Sequence, residues 1–394
     1  MDFTVSPHIL ALAERVRAFV EREVVPIEAE QQRTNAPLTV EQVQALRQKA
    51  RQEGIFAPTM PPDLGGLGLT IAEWVPVLEA AGRSLLGPLA IHCAAPDEGN
   101  MHTLHHFAND EQKERYLRPL AKGEIFSGFS MTEPPPGAGS DPTMLSTRAV
   151  REGDEWVING RKWYTSNGEV ADFLLIMALT NPEMGAHKGS TIFLAPITTA
   201  GITIVRDVPT MGRGDFGGHV EIVYDNVRVP HSAILGQEGQ GFAIAQARLG
   251  PARLTHCMRW LGIAQRALEL ATQYANQRDA FGKKLAEHQS IGFMLADSEM
   301  ELHAARLMVH HAAWLLTRGE QARSETSMAK VFTSEAVNRV VDRAIQVCGG
   351  TGISRDLPLA SWYEGARAFR IYDGASEVHR MVAARQVVKK YGSL

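Results

Sequence analysis

Three long apolar stripes at helical spacing occupy the C-terminal part of the chain, and they restrict its fold more than any other feature. Leu254, Met258, Leu261, Ala264, Leu268 and Ala271 form the first. Ile291, Leu295, Leu302, Ala305, Val309, Ala312 and Leu316 form the second, and Phe332, Ala336, Val340, Ala344 and Val347 the third. Residues three and four apart share one face of a helix. Long helices with such faces must bury them against one another, so a helical bundle is expected over 237–394.

The rest of the chain differs. The beginning is also helical, but in shorter pieces. Ser6-Pro7 is an N-cap and first-turn pair ahead of Ile9, Leu12, Val16, Phe19 and Val20. Thr39 with Gln42, and Thr70 with Glu73, are capping-box patterns, and Gly54 can end the helix that Thr39 opens. DEQKERYLRPL (110–120) reads as another short helix. These signals predict an all-α domain over 1–125. Over 126–236 the period changes. EWVING (155–160), DFLLIMALT (172–180), STIFLAPI (190–197), ITIVRDV (202–208) and HVEIVYDNVRVP (219–230) alternate or form short apolar runs between Gly, Asn, Asp and Pro. That pattern predicts antiparallel strands rather than βαβ units. The fold class expected is α+β, in the order α, β, α.

Composition narrows the function. With 44% hydrophobic and 21% charged residues in 394, a large core is available. A formal net charge of -4 gives no polybasic footprint for nucleic acid. Cys93, Cys257 and Cys348 have no regular spacing, which argues against disulfides and structural zinc and for a reducing compartment. MDFTVSPHIL has neither a basic-then-apolar leader nor an Arg/Ser-rich one, and no apolar run reaches the ~20 residues of a membrane span. A cytoplasmic protein is expected. His102, His105 and His106, and His310 and His311, lack the matching ligand cluster a metal site needs. GRGD (212–215) carries no adhesive meaning here. GGTG (349–352) is half a dinucleotide fingerprint but follows a helix rather than a strand, so it reads first as a helix C-cap.

RIYDGASEVHR (370–380) sits between helical patterns, and its Asp-Gly is at first sight only a turn and cap. Four segments in order give it another meaning. MTEPPPGAGSD (131–141) resembles the TEPxxGSD loop of the acyl-CoA dehydrogenases. NGRKWYTSNG (159–168) is similar to that family's NGxKxWITN strand, and RDAFGKKLAEHQ (278–289) to its RxxFGxxxxxxQ segment. QVCGGTGISRDLPLASWYEGARAFRIYDGASEVHR (346–380) resembles its C-terminal block. APDEGNMHTL (95–104), LGPARLTHCMR (249–259) and the Asp of YDG are most similar to the subgroup whose base position holds Asp instead of Glu.

The resemblance implies FAD and the α,β-dehydrogenation of a fatty acyl-CoA, the oxidation that serves fatty acid β-oxidation. Asp373 would remove the α-proton while hydride passes to flavin N5. Its backbone N–H would help stabilise the thioester oxygen, with Gly374 allowing the turn. Some members carry the base just before the Arg matched by Arg253, but that position is Ala252. Arg253 would orient the carboxylate or make an ion pair; both readings stay open. Met131, Thr132, Gly139 and Ser140 match flavin-loop positions, in a loop two residues longer than usual, with Ser140 also beside the substrate. Tyr164 matches a Trp against the flavin ring, and Ser166 a Thr near N5. Arg278, Phe281 and Gln289, with Gln346, Gly349 and Gly350, match FAD contacts that include ones reaching a neighbouring subunit. Ala375 and Glu377 fall at the adenine end, where the family usually has Thr and Gln. A homodimer or homotetramer and an electron-transfer flavoprotein as electron acceptor follow from the resemblance. Two other readings compete. One is an oxidase on the same fold, acting on a nitroalkane or an acyl-CoA. The other is a non-catalytic flavin-binding assembly module.

Overall fold

The computed structural model describes residues 4–212 and 216–392, so most of the GRGD tetrapeptide lies outside the described residues. α1 (Pro7–Phe19) starts where Ser6 Oγ accepts the Ile9 N–H at 3.4 Å. It runs through a π turn, Val20–Val24, into α2 (Val25–Thr34). α3 (Val40–Gln52) and α4 (Ile71–Ala81) both open on the capping boxes expected, Thr39 with Gln42 and Thr70 with Glu73. α5 (Asp97–Phe107) follows. The short helix expected near 110–120 is an α–π–α run from Asp110 to Ala121.

The sheet contains β1 (Ser127–Ser130), β2 (Arg148–Glu152), β3 (Glu155–Ser166), β4 (Phe173–Leu179), β5 (Ser190–Pro196), β6 (Ile202–Asp207), β7 (His219–Pro230) and β8 (Ile234–Leu235). Strands run in the order β6-β7-β3-β2-β4-β5-β8, with β1 beside β4. Five of these seven pairings are antiparallel, as expected, and two are not. β1 pairs with β4 in parallel, and so does β2 at Arg148 with Leu179. β1 and β4 are separated by the whole 131–172 segment, so no tight hairpin dictates their direction. β4 is buried at all seven positions. Phe173, Leu175, Met177 and Leu179 join the core shared with the helices, while Leu174, Ile176 and Ala178 pack with Trp156, Ile158, Phe193 and Tyr224 inside the sheet layer. That explains a continuous apolar run where one-sided strands alternate.

α6 (Gly241–Gln277), α7 (Gln289–Thr317) and α8 (Arg323–Cys348) run up, down and up, and α10 (Ser376–Tyr391) packs on α8 after the shorter α9 (Leu359–Phe369). Cross-links such as Arg343 Nη1 to Glu301 Oε2 at 2.9 Å fix α7 antiparallel to α8. The N-terminal helices dock directly onto α6. A Cβ on Gly82 would lie 2.0 Å from the Arg259 carbonyl oxygen, and one on Gly262 2.1 Å from that of Glu79. Only glycine permits the two helices to approach this closely. α5 also packs on α6, and the α9–α10 turn that carries Asp373 meets α6 at Arg253 and His256.

Candidate active site

Asp373 sits in the turn between α9 and α10 with φ +53°, a left-handed conformation that Asp tolerates better than most residues. Gly374, at φ +101°, completes the turn, and its missing Cβ leaves room for the His379 ring. Three side chains fasten this backbone. Arg253 Nε donates to the Asp373 carbonyl oxygen at 3.0 Å. Lys330 Nζ donates to the carbonyls of Phe369 at 2.7 Å and Gly374 at 2.9 Å. His379 Nε2 lies 3.2 Å from the Asp373 oxygen, with Nδ1 at 3.1 Å from Ser327 Oγ. Arg253 therefore holds the main chain of Asp373 rather than its carboxylate. Among the described residues the Asp373 N–H makes no hydrogen bond.

The carboxylate meets a different residue. His256 Nε2 lies 3.0 Å from Asp373 Oδ2. About a fifth of the Asp373 side chain, 20%, stays exposed, so the carboxyl is sheltered but reachable. Burial would push its pKa up, but His256, Arg248 and Arg253 outweigh burial and hold it well below the usual carboxylate range. Asp373 is thus an anion. His256 does not behave as its simple cationic partner, because burial and Arg259 push its pKa down. Geometry agrees with a neutral ring: Arg259 Nη2 lies 3.1 Å from His256 Nδ1. A guanidinium is always a donor, so Nδ1 must accept and the ring proton belongs on Nε2, facing Asp373. Around the pair, Tyr372 packs on the His256 ring at 4.7 Å, and Arg248 is fixed by Asn100 Oδ1 at 2.8 Å.

A second group of foreseen residues gathers at β3. Lys162 Nζ donates to the Met131 carbonyl at 2.8 Å, and the Trp163 N–H to that of Thr132 at 3.0 Å. A register shift between Lys162 and Thr165 frees Trp163 and Tyr164 from the ladder, and Tyr164 adopts φ +50° with 44% of its surface exposed. Ser166 Oγ lies 2.9 Å from His219 Nδ1. The lengthened loop is closed by the Glu133 N–H to the Ala138 carbonyl at 2.7 Å, and Gly139 and Ser140 stay exposed. Asp141 caps the turn that follows, accepting from the Thr143 N–H at 2.9 Å.

The remaining residues lie elsewhere. Arg278 caps the far end of α6, roughly 38 Å from Arg253 at 1.5 Å per residue. Phe281, 96% exposed, and Gln289 follow it. Because α8 runs parallel to α6, Gln346, Gly349 and Gly350 fall at that same end, and Gly349 does cap α8. One chain does not bring them to Asp373. Ala375 and Glu377 start α10, close to Asp373 in sequence, with Glu377 exposed. His256, Arg248, Arg259 and Lys330 were missed. For His256 the signal was available: it stands one helical turn after Arg253, on the same face.

Family models for the acyl-CoA dehydrogenase N-terminal, middle and C-terminal domains match residues 6–124, 128–227 and 239–388. The chain belongs to the acyl-CoA dehydrogenase family, a family of oxidoreductases. A probable acyl-CoA dehydrogenase, FadE2, of Mycobacterium tuberculosis is 42% identical over 98% of this chain and 96% of its own length. Acyl-CoA dehydrogenase family member 11 of Homo sapiens is 37% identical over 93% of this chain, which spans 48% of that longer protein. Among solved structures, a putative acyl-CoA dehydrogenase from Mycobacterium abscessus superposes with a TM-score of 0.92 at 41% identity, covering 98% of this chain and 100% of that one. Butyryl-CoA dehydrogenase from Megasphaera elsdenii gives 0.88 at 30%, over 98% and 100%. The FAD complex of PigA gives 0.89 at 26%, over 98% and 99%.

Proposed function

We propose that this chain is an FAD-dependent acyl-CoA dehydrogenase in which Asp373 takes the α-proton of a fatty acyl-CoA thioester, giving the trans-2-enoyl-CoA. Asp373 carries this reading. It is an anion in a left-handed turn, with one oxygen held, the side chain partly open and an unpaired N–H on the same residue. A thioester α-proton is too weakly acidic for a carboxylate alone, so the thioester oxygen needs a donor placed in advance. The Asp373 N–H is such a donor, and its position is fixed by Arg253 and Lys330.

The residues near β3 fit FAD. Tyr164 offers an exposed aromatic face, Ser166 a hydroxyl, and Trp163 a buried Nε1–H without a partner among the described residues. Met131, Thr132, Gly139 and Ser140 would hold the flavin side of the cofactor. When bound, FAD supplies the hydride acceptor for the β-hydrogen. Arg278, Phe281, Gln289, Gln346, Gly349 and Gly350 would serve the FAD of a second copy, which makes the working enzyme at least a dimer. An electron-transfer flavoprotein would reoxidise it.

The test is an anaerobic absorbance titration of the purified, flavin-loaded protein with butyryl-, octanoyl- and palmitoyl-CoA. The expected result is bleaching of the flavin band by at least one of them. A flavin that stays oxidised with all three would overturn the assignment and direct the search to substrates without CoA.

A further inference from the structure

Arg253, His256 and Arg259 follow one another at single-turn intervals on α6, and each grips something different. Arg253 holds the Asp373 main chain at 3.0 Å, His256 faces the Asp373 carboxylate at 3.0 Å, and Arg259 faces the back of the His256 ring at 3.1 Å. Arg259 is itself anchored, donating to the Cys93 carbonyl oxygen. The helix therefore presents a ready-made clamp to one residue of a neighbouring turn.

A short base needs such a clamp. Asp ends about one C–C bond, ~1.5 Å, nearer its backbone than Glu. Proton transfer requires near-contact geometry, so the side chain has to be held in one rotamer. The surroundings would pull it elsewhere. Arg248, Arg253 and Arg259 face the site from α6, Lys330 from α8, His379 from α10 and Glu98 from α5. A carboxylate free to rotate would turn towards a guanidinium, which would neutralise it. A neutral imidazole holds one oxygen without cancelling its charge.

We propose that His256 is the positioning residue of the base: its Nε2–H holds Asp373 Oδ2, leaving Oδ1 to take the substrate's α-proton. This rests on the proposed function and adds a residue to it. The step is balanced as before, since the Cα–H bond breaks, an O–H bond forms at Oδ1, and the β-hydrogen leaves with its electron pair. His256 neither gains nor loses a proton, because Arg259 occupies its other nitrogen.

Two variants of similar size separate holding from filling. His256→Gln keeps an N–H for Asp373, and His256→Met does not. Both are compared with the wild type in the flavin-loaded enzyme by anaerobic stopped-flow reduction with the acyl-CoA that bleaches the wild type. Reduction is expected to slow about 100-fold in the Met variant, the cost of a misplaced group, and about fivefold at most in the Gln variant. The base works ionised, so its rate falls as pH drops through its pKa. Losing the donor raises that pKa, and the acid limb of the Met variant should move to higher pH. Equal rates and limbs in both variants, whether fast or slow, overturn the proposal, because the ring then only fills space. A measurement without substrate backs this up: imidazole 15N NMR of the flavin-loaded wild type at pH 7 should show a neutral ring protonated on Nε2. A doubly protonated ring, or one protonated on Nδ1, also overturns the proposal. Asp373→Asn distinguishes the two levels. If it reduces flavin like the wild type, the base assignment falls; if it is inactive while the Met variant is not, only the role of His256 falls.

Discussion

Glu133 and Asp373 are both sheltered carboxylates near basic side chains, and they are handled in opposite ways. Glu133, 2% exposed, is saturated. Oε1 accepts from Lys162 Nζ at 2.9 Å and the Thr147 N–H at 2.8 Å; Oε2 accepts from the N–H and Oγ of Ser146, both at 2.7 Å, and the Ala138 N–H at 3.2 Å. Asp373 has one oxygen engaged, a strained backbone and an opening to solvent. Four of these contacts close the 131–147 loop on itself and the fifth, from Lys162, ties it to β3, so Glu133 is a staple. Asp373 is pinned through its main chain and left with unused capacity at its carboxylate. Saturation marks a structural ion pair; unused capacity held in place marks a reactive one.

The sharpest way to break this contrast is to remove each charge in turn. Asp373→Asn should leave folding and FAD content unchanged and slow flavin reduction by about 10³-fold, within the range for loss of a general base. Stopped-flow reduction reads it, and a wild-type rate would erase the distinction. Glu133→Ala should do the reverse. It strands the fully buried Lys162 ammonium and should cost about 3–5 kcal/mol. Thermal melting should fall sharply and FAD should be lost, because Lys162 also holds the Met131 carbonyl.

A pH series sharpens the same comparison with a smaller effect. Burial would raise the Glu133 pKa, but Lys162, Thr147 and Ser146 outweigh it and bring it from 4.5 down to about 2. A depressed carboxylate stabilises the fold above its unfolded pKa and loses that contribution as pH falls through the folded one. The window for Glu133 therefore runs from about pH 4.5 down to about 2, and the shift corresponds to roughly 3 kcal/mol. Lys162 is pushed down to about 8, chiefly by burial against the opposing pull of Glu133. Its contribution therefore rises, not falls, between about pH 8 and 10.5. Melting temperatures from pH 7 to 2.5 should drop mainly below pH 4.5, and Glu133→Gln should flatten that drop.

The contrast also shows what the sequence could reveal. Periodicity and caps located α1, α3, α4, the 110–121 run, α6, α7, α8 and the five strands with clear patterns, because burial of one face writes itself into spacing; α2 and α5 were not read. β1, β2 and β8 escaped: two are short, and β2 is exposed except at Ala149. Asp373 and Arg253 were legible through ordered motifs. The role of Arg253 was not, because a guanidinium aimed at a carbonyl and one aimed at a carboxylate look alike in a sequence. His256 and Lys330 acquire their parts only when α6, α8 and the α9–α10 turn meet. Glu133 was readable as a motif letter, but its five hydrogen bonds need the folded loop.

The smallest effect tests whether holding the backbone is separable from holding the carboxylate. Lys330 reaches the Phe369 and Gly374 carbonyls, and lies over the Phe369 ring at 5.1 Å. Burial pushes its pKa down to about 8, so the ammonium itself carries a desolvation cost. Lys330→Met keeps the length and removes that cost, but leaves two carbonyl oxygens without their donor. The net loss should be about 1–2 kcal/mol, visible as a modest drop in melting temperature. Flavin reduction should slow by about tenfold, since a looser turn displaces both the N–H and the carboxylate of Asp373. The acid limb should move up less than in His256→Met, because His256 still faces Oδ2 while the Lys330 charge acts on Asp373 only through space. If the limb moves as far as in His256→Met, the backbone and side-chain clamps are one device. If it moves less while the rate and the melting temperature fall, α8 sets where the base stands and α6 sets how it points.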